Sequence, residues 1–542
     1  ITLIPAEGEH SAAGVCYGAS TTGARVFNAT SANGLLYALE QFPVQSGTRF
    51  PMVMNVACRT VSGPLCIKGD HSDIMYLLNT GWVILFAYSP QMVYDLNIIG
   101  LKLAESVNLP VVIAFDGFFT SHQKQKCSVF KHDDSVLGFL GDKKPLYSIL
   151  NFENPITIGS YMNEPDVMNN RYQLYLAMKE ASKLLPSLFS EYEQLSGRAY
   201  SIMEGYKHED AEVVLVFLGS SYHTAKDAVD QLREKNIKAG VVTFVALRPF
   251  PNTMINYFPS ARTILIFDRQ DSYGAGGGNL SLEIKANLYR KTNARVISRV
   301  YGLGGKDLFV EDILTIVQDS LHPQSPLFDY YGVTEGLGGE KQPDYFAPLT
   351  EKEQTPGITV CNYDGEARKM IVTSKSLSDT TAMPMRIAPG HGACPGCGIP
   401  VNLNLLLKGI EGNVIVLFQT GCGMIITTGY PKTAFRIPYI HNLFQNGAAT
   451  LSGVEAAFSE LKRRGEYPQG DITFLMVSGD GGMDIGMGSA LGTALRNQHV
   501  ILFEYDNGGY MNTGYQLSYS TPYGAKSATS HVGRAAFGKA FF

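Results

Sequence analysis

One carboxylate side chain, one amide side chain and a run of glycines are the first residues that could do chemistry. The run Gly479-Asp480-Gly481-Gly482 is followed by Asn507, with 25 residues between Gly481 and Asn507. Apolar stretches at 472–477 and 500–504 precede the two sites and predict buried strands. A helix between parallel strands would place Asp480 and Asn507 at the carboxyl ends of neighbouring strands, where ligands of open α/β sheets bind.

The chemistry of this pattern suits a diphosphate and its cation. Glycines let backbone N–H groups approach a phosphate at a helix N-terminus. The oxygens of Asp480 and Asn507 suit a hard cation such as Mg²⁺. An ordinary Asp-Gly turn with an unrelated asparagine is the alternative, but the succession of strand, turn, helix, strand and asparagine favours the diphosphate site.

A second candidate centre is formed by cysteines. Cys394-Pro395-Gly396-Cys397 is followed after 24 residues by Cys422, which comes soon after the apolar stretch 414–418. Two thiolates at this spacing can hold one metal centre, and a third from a strand end can complete it. Spacing alone leaves three alternatives: an iron–sulfur cluster, a zinc site with His391 as fourth ligand, and three unligated thiols.

Three blocks of the chain alternate short apolar runs with amphipathic segments, the pattern of parallel α/β sheets. The blocks are residues 1–190, 191–325 and 389–542. Their predicted strands are 51–57, 83–87 and 110–115; 213–218, 241–245 and 261–267; and 414–418, 472–477 and 500–504. Residues 326–388 are rich in Pro, Gly, Thr, Ser and charge, for example at 336–339 and 351–357, and predict a connector.

Composition limits the function classes. The 542 residues are 45% apolar, and 44 basic against 49 acidic side chains give a net charge of −5. This balance argues against nucleic acid or an anionic lipid surface as partner. No apolar run reaches the roughly 20 residues of a membrane helix. Eight cysteines in so long a chain are no disulfide framework, which predicts a reducing, cytoplasmic location.

The Asp480–Asn507 pattern resembles the diphosphate motif of thiamine-diphosphate enzymes. With the cysteines and a series of ordered motifs, nearly the whole chain resembles the 2-oxoacid:ferredoxin oxidoreductase family, and within it the pyruvate-type enzymes. The motifs are Glu7-Gly8-Glu9-His10-Ser11-Ala12, Ala24-Arg25-Val26-Phe27, Thr30-Ser31, Asn55-Val56-Ala57-Cys58-Arg59, Gly69-Asp70-His71-Ser72-Asp73, Phe115-Asp116-Gly117-Phe118, Leu247-Arg248-Pro249-Phe250-Pro251, the stretch 391–398, Gly421-Cys422 and Tyr510-Met511-Asn512-Thr513-Gly514.

The resemblance implies an α/β, multidomain fold built from transketolase-like, thiamine-diphosphate-binding parallel-sheet domains. Residues 1–190 would be the pyrimidine-binding domain and 191–325 a transketolase C-terminal-like domain. The connector 326–388 would lead to a diphosphate-binding domain with iron–sulfur ligands at 389–542. An α-like and a β-like part would thus be fused in one chain.

The resemblance also implies roles for single residues. Glu9 would activate the cofactor through its pyrimidine ring, Arg59 would face the substrate carboxylate, and Asn512 would hydrogen-bond the reacting oxygens. Asp70 and His71 are expected to be structural. The other implied residues are Asp480, Asn507 and the carbonyl of Gly509 for Mg²⁺; Gly479, Gly481, Gly482, Tyr510 and Cys422 around the cofactor; and Cys394, Cys397 and Cys422 for a [4Fe–4S] cluster.

The implied reaction is oxidation of a 2-oxoacid, with pyruvate the best fit, and coenzyme A as co-substrate, to acyl-CoA and CO₂. Electrons would pass to ferredoxin or a ferredoxin-like subunit, and the reverse reaction would fix CO₂. A γ-like subunit and dimerisation of the assembled unit are implied as well. Alternatives are another 2-oxoacid (branched-chain, aromatic or oxalate), a non-redox thiamine-diphosphate enzyme and a non-catalytic scaffold.

Some features of the family pattern are absent from the sequence. These are the Pro/Thr turn expected well before Glu9, a fourth cluster cysteine expected beyond Thr513, a ferredoxin-type cysteine run and a γ-like domain. The chain begins at Ile1 without an initiator Met and stops at Phe542 without a polar tail. We therefore expect residues to be missing from both ends.

Overall fold

The computed structural model of the chain describes residues 6, 8–143, 145–151, 153, 156–160, 162–334, 361–372, 377–383, 385–410, 412–429, 433–466 and 472–530. The chain divides into two compact units, one of residues 8–334 and one of residues 335–542 together with 1–7.

The first unit contains eleven strands and nine α-helices among its described residues. The strands are β1 (Phe27–Thr30), β2 (Val53–Cys58), β3 (Val83–Ala87), β4 (Val111–Asp116), β5 (Met203–Tyr206), β6 (Val213–Phe217), β7 (Ala239–Phe244), β8 (Ala246–Arg248), β9 (Thr263–Asp268), β10 (Arg295–Val300) and β11 (Phe328–Tyr330). The helices are α1 (Glu9–Thr21), α2 (Ala32–Tyr37), α3 (Gln41–Gly47), α4 (Pro90–Val107), α5 (Asp133–Leu140), α6 (Asp166–Ser196), α7 (Ser221–Glu234), α8 (Asn279–Leu288) and α9 (Val310–Leu321).

The strands of this unit form two sheets. The first has the order β1-β2-β4-β3-β8 and is parallel except for its edge strand β8. The second has the order β11-β10-β9-β6-β7-β5 and is parallel except for its edge strand β5. All five residues of β3 and of β6 are buried, as expected for strands covered on both faces. β8 follows β7 almost directly, so one apolar stretch contributes a strand to each of the two sheets.

Helix α4 shows how the sequence sets an element of the first sheet. Ser89 caps its N-terminus by accepting a hydrogen bond from the backbone N–H of Met92, and Pro90 occupies its first turn. Asn108, with φ +49°, ends it in the left-handed conformation. The apolar face of α4 lies on the sheet, so β3 and β4 are joined by the crossover that parallel strands require.

A buried charged network joins the carboxyl ends of β4 and β9. His71 Nε2 lies 2.7 Å from Asp116 Oδ1, Arg269 Nη1 donates to the same oxygen at 2.9 Å, and the backbone N–H of Ser220 donates to Oδ2 at 2.6 Å. Arg269 also donates to the carbonyl of Gly69 at 2.7 Å. Burial raises the pKa of Asp116, but His71 and Arg269 outweigh it and hold that pKa well below its usual value. The expectation that His71 is structural agrees with its place in this network.

The second unit contains one parallel sheet and a separate hairpin among its described residues. Its strands are β12 (Cys361–Asp364), β13 (Lys369–Val372), β14 (Asn413–Gln419), β15 (Tyr439–Asn442), β16 (Ile472–Gly479) and β17 (Val500–Tyr505). Its helices are α10 (Leu377–Ala382), α11 (Ile399–Lys408), α12 (Cys422–Ile425), α13 (Gly447–Arg464) and α14 (Asp480–Leu495). The parallel sheet has the order β15-β14-β16-β17, and β12 pairs with β13 antiparallel.

Each of the nine strands predicted from apolar runs is found within a few residues of its expected bounds, and the prediction of an α/β, parallel-sheet fold is confirmed. The domain boundaries stay predictions. The one expected at residue 190 falls inside α6, and of the connector 326–388, both 336–339 and 351–357 lie outside the described residues. Within the described ranges every helix is too short or too polar to cross a bilayer.

We predict that Asp116→Asn lowers the free energy of unfolding of the first unit by about 3–5 kcal/mol, because Arg269 would stay buried without its anion. The single tryptophan, Trp82, is buried in this unit, so its fluorescence during chemical denaturation reports on it alone. Asp210→Asn, in the surface ion pair with Arg233, is the control and should change little. Equal midpoints for the two variants would contradict the importance given to the buried network.

Candidate functional site

In the first unit, Glu9 begins α1 and lies against a glycine of α2. A Cβ added to Gly34 would lie 2.4 Å from Oε1 of Glu9, so a side chain at this position would displace the carboxylate. Burial raises the pKa of Glu9, and the positive charge of Arg59 offsets part of that rise. A carboxyl group of raised pKa is suited to hydrogen bonding with a ring nitrogen.

Arg59 follows β2 and is held at three points. Its backbone N–H donates to Asp73 Oδ2 at 2.9 Å, its Nε donates to Ser31 Oγ, and its Cγ packs on Gly117, where an added Cβ would lie 2.7 Å away. Neither Nη group forms a hydrogen bond within the described part of the chain. Burial lowers the pKa of Arg59, and the charges of Asp73 and Glu9 raise it. The result is a positioned guanidinium whose two Nη groups can donate hydrogen bonds to a carboxylate.

In the second unit, Asp480 and Asn507 come together as predicted, at the ends of the paired parallel strands β16 and β17. The side-chain amide of Asn507 lies 2.8 Å from Asp480 Oδ1 and 3.1 Å from the carbonyl oxygen of Gly509. With its nitrogen toward these oxygens the amide donates to both, and with its oxygen toward them its nitrogen donates to Cys422 Sγ at 3.9 Å.

Three converging oxygens fit a cation. In an octahedral Mg²⁺ shell with bonds near 2.1 Å, neighbouring oxygens lie about 3.0 Å apart. The 2.8 and 3.1 Å spacings around the Asn507 amide match that edge when its oxygen faces Asp480 and Gly509. The residues present therefore fit Mg²⁺.

Two serines that the sequence analysis missed complete the surroundings of Asp480. Ser518 donates to its Oδ2 at 2.6 Å and Ser520 at 3.1 Å. Burial raises the pKa of Asp480, and these two hydroxyls lower it. The only sequence signal for them is a short Ser-rich stretch about a dozen residues after Asn507, which has no strand or helix periodicity.

The predicted glycines and aromatic residue line the start of α14. A Cβ on Gly481 would lie 2.6 Å from the ring of Tyr510, and one on Gly482 would lie 2.4 Å from Ser478 Oγ. Gly479 is the residue before the helix, so the first backbone N–H groups of α14 face this glycine-lined surface. These contacts agree with a surface that accepts a diphosphate.

Cys422 lies beside the Asn507 cluster. Its sulfur accepts hydrogen bonds from the backbone N–H of Asn512 and from the side chain of Asn507, and both lower its pKa against burial, which raises it most. The nearby thiols of Cys397 and Cys394 raise that pKa further. Cys394 and Cys397 are thus close enough to Cys422 to influence its pKa.

Cys394 and Cys397 belong to a tight turn. The N–H of Cys397 donates to the carbonyl of Cys394 at 3.1 Å, and Gly396 has φ +80°. Among the described residues, which include His391, no three His, Cys, Asp or Glu side chains are placed to hold a single metal ion. This finding supports neither the zinc alternative nor the cluster, and the cysteine ligands stay a prediction.

Two family profiles match the first part of the chain. A family profile described as pyruvate flavodoxin/ferredoxin oxidoreductase, thiamine-diphosphate-binding, matches residues 1–189. The profile for the pyruvate:ferredoxin oxidoreductase core domain II matches residues 211–313. Pyruvate synthase subunit PorA of Thermotoga maritima is 38% identical over 324 residues, which are 59% of this chain and 82% of that one. The chain belongs to the 2-oxoacid:ferredoxin oxidoreductase family.

Other members of this oxidoreductase family have similar identities. Ketoisovalerate oxidoreductase subunit VorA of Pyrococcus horikoshii is 39% identical, over 59% of this chain and 81% of that one. Among solved structures, the 2-oxoglutarate:ferredoxin oxidoreductase of Magnetococcus marinus matches at 18% identity with a TM-score of 0.42. The match covers 58% of this chain and 57% of that one, so the chain spans little more than half of that structure. The resemblance inferred from the motifs is confirmed.

We predict that Mn²⁺, a spectroscopic substitute for Mg²⁺, binds this protein in the presence of thiamine diphosphate, and that Asp480→Asn weakens its binding at least about tenfold. Electron paramagnetic resonance of free Mn²⁺ measures the affinity. Asp506→Asn is the matched control, because it removes the same charge from a carboxylate that accepts from Gly508 and Ser520. Equal weakening in both variants would indicate a charge effect and contradict ligation by Asp480.

Proposed function

We propose that the protein oxidises a 2-oxoacid, with pyruvate the best candidate, with coenzyme A to acyl-CoA and CO₂. Electrons leave through a [4Fe–4S] cluster to ferredoxin or a similar carrier, and the direction can reverse to fix CO₂. The observation that carries the proposal is the convergence of the Asp480 carboxylate, the Asn507 amide and the Gly509 carbonyl at the ends of β16 and β17, beside Cys422. Family membership supports the rest.

Each implied residue has a task that its surroundings support. Glu9 hydrogen-bonds the pyrimidine of thiamine diphosphate, and its raised pKa favours proton exchange with the ring. Asp480, Asn507 and the Gly509 carbonyl hold Mg²⁺ on the diphosphate. When bound, thiamine diphosphate supplies the electron sink that lets the bond to the substrate carboxylate break.

The substrate and electron path involve the remaining residues. Arg59 binds the 2-oxoacid carboxylate through its Nη groups and keeps it away from bulk water. Asn512 donates its side-chain amide to the reacting oxygens. Cys394, Cys397 and Cys422 hold the cluster, which supplies a one-electron acceptor when present.

Pyruvate is the best substrate candidate because of two stretches of the sequence. The stretches 429–435 and 437–441 resemble pyruvate-type enzymes, although residues 430–432 lie outside the described part of the chain. Relatives named pyruvate synthase and ketoisovalerate oxidoreductase have nearly equal identity, at 38% and 39%. A branched-chain 2-oxoacid is therefore the second candidate, ahead of aromatic acids and oxalate.

Partner subunits are part of the proposal. The similar proteins are named as subunits, PorA and VorA, which supports assembly with further chains. A ferredoxin-like subunit and a γ-like subunit would supply the electron outlet, and the assembled unit would dimerise.

The test of the activity is anaerobic reduction of methyl viologen by the purified protein with its partner chains, thiamine diphosphate, Mg²⁺ and coenzyme A. Pyruvate and 2-oxoisovalerate are compared as substrates. We predict that Glu9→Gln lowers the rate at least about 100-fold, because proton exchange with the cofactor is lost. Glu40→Gln, which changes an exposed carboxylate bonded to His10, should keep the wild-type rate. Undiminished turnover in Glu9→Gln would contradict the role of Glu9.

Iron content tests the cysteines separately. We predict that Cys422→Ser loses the broad visible absorption of an iron–sulfur cluster and most of its iron, because a ligand is removed. Cys127→Ser changes an exposed thiol outside the group and should keep both. Zinc in place of iron in the wild-type protein, or equal iron in the two variants, would overturn the cluster assignment.

A further inference from the structure

Asp73 is a buried carboxylate to which neither the motifs nor the comparisons give a role. It is 0% exposed and stands directly before the short 3₁₀ helix Ile74–Asn79. Its Oδ2 accepts hydrogen bonds from the backbone N–H groups of Ala32 at 2.7 Å and Arg59 at 2.9 Å. Its Oδ1 accepts from the N–H of Ile74 at 2.7 Å. One side chain therefore ties together the ends of β1 and β2 and the start of the 3₁₀ helix.

The bond to Ala32 fixes the start of α2. Ala32 is the first residue of that helix and has φ +48°, a conformation that a residue with a Cβ adopts only when its surroundings hold it. Two residues later comes Gly34, against which the carboxylate of Glu9 packs. A shift of Ala32 would move Gly34 and with it the wall that sets the position of Glu9.

The bond to Arg59 fixes the other predicted catalytic residue. Asp73 holds its backbone, while Ser31 accepts from its Nε and donates to the carbonyl of Ala57 at 2.6 Å. Ser31 adjoins Ala32, so both anchors of Arg59 depend on the segment that Asp73 holds. Of the donors of Arg59, the two Nη groups have no hydrogen-bond partner among the described residues.

We infer that Asp73 is a positioning residue that fixes Glu9 and Arg59 relative to each other, and so sets where the 2-oxoacid carboxylate binds. The inference rests on the proposed function for what Glu9 and Arg59 contact. Its physical basis is that three backbone N–H groups from separate segments share one carboxylate, which no neutral side chain of the same size can replace at all three. Misplacing a reacting group by about 1 Å can cost on the order of 100-fold in rate.

The experiment compares Asp73→Ala, which removes the acceptor oxygens for all three N–H groups, with Asp70→Ala. Asp70 is nearly as buried, at 2% exposure, and accepts from Thr60, Ser72 and the N–H of Gly304, but within the described residues it forms no hydrogen bond with Ala32 or Arg59. The full chain with its partner subunits is used, and Trp82 fluorescence shows that each variant is folded. If Asp73→Ala does not fold, Asp73→Ser, which leaves room for a water molecule, takes its place.

Two readouts are expected to separate the variants. In the Asp73 variant the KM for the 2-oxoacid rises at least about tenfold because Arg59 acts on substrate binding, and kcat falls because Glu9 acts on the cofactor. Hydrogen exchange at the amides of Ala32 and Arg59 quickens at least about threefold, as one hydrogen bond is lost at each. The Asp70 variant shows neither change.

A wild-type KM in the Asp73 variant, or the same acceleration of exchange in Asp70→Ala, would overturn the inference. Failure of the wild-type protein to oxidise any 2-oxoacid would instead refute the proposed function. In that case hydrogen exchange at Ala32 and Arg59 still decides whether Asp73 holds these two segments, since that measurement needs no turnover.

Discussion

A carboxylate taken out of water must be surrounded by donors, and the first unit is organised by how that demand is met. An unpaired buried charge costs several kcal/mol, so each buried aspartate fixes the chain segments that supply its partners. Asp95 of α4 accepts two bonds from Arg198 at 2.7 Å and one each from Tyr192 at 2.6 Å and Tyr200 at 2.5 Å. This holds the end of α6 and the chain that follows it against α4. Asp116 does the same for the two sheets through Arg269.

The kind of donor decides how each carboxylate behaves. Asp116 faces an arginine and a histidine, and its pKa lies well below the usual range although burial raises it. Among the described residues, Asp73 accepts hydrogen bonds from backbone N–H groups only. Burial raises its pKa to about 7, with the nearby charge of Asp70 adding to the rise and the N–H groups lowering it. The network at Asp116 is therefore charged and links large elements, whereas Asp73 holds loops at the ends of β1 and β2 by hydrogen bonds alone.

Sequence reasoning placed residues correctly where elements that follow each other along the chain decide their position. Asp480 and Asn507 could be paired because two apolar runs with one helix between them must be parallel neighbours, and their carboxyl ends then meet. It could not place Arg269 beside Asp116, since 153 residues separate them and only the packing of two sheets brings them together. It missed β8 because residues 246–248 come directly after the predicted strand 241–245, and only the fold shows that they pair with β3 in the other sheet. Ser518 and Ser520 lie in a segment without periodicity, so nothing in the pattern points them at Asp480.

The second unit gathers the Asp480 carboxylate, the Asn507 amide and the Gly509 carbonyl at the ends of β16 and β17. The amide can take either orientation there. With its nitrogen toward Asp480 and Gly509 it donates to both oxygens, and with its oxygen toward them it donates to Cys422 Sγ. A cation bound at this point would select the second orientation, because it attracts the oxygen end of the amide dipole. The orientation of one amide would therefore report whether a cation occupies the ends of these two strands.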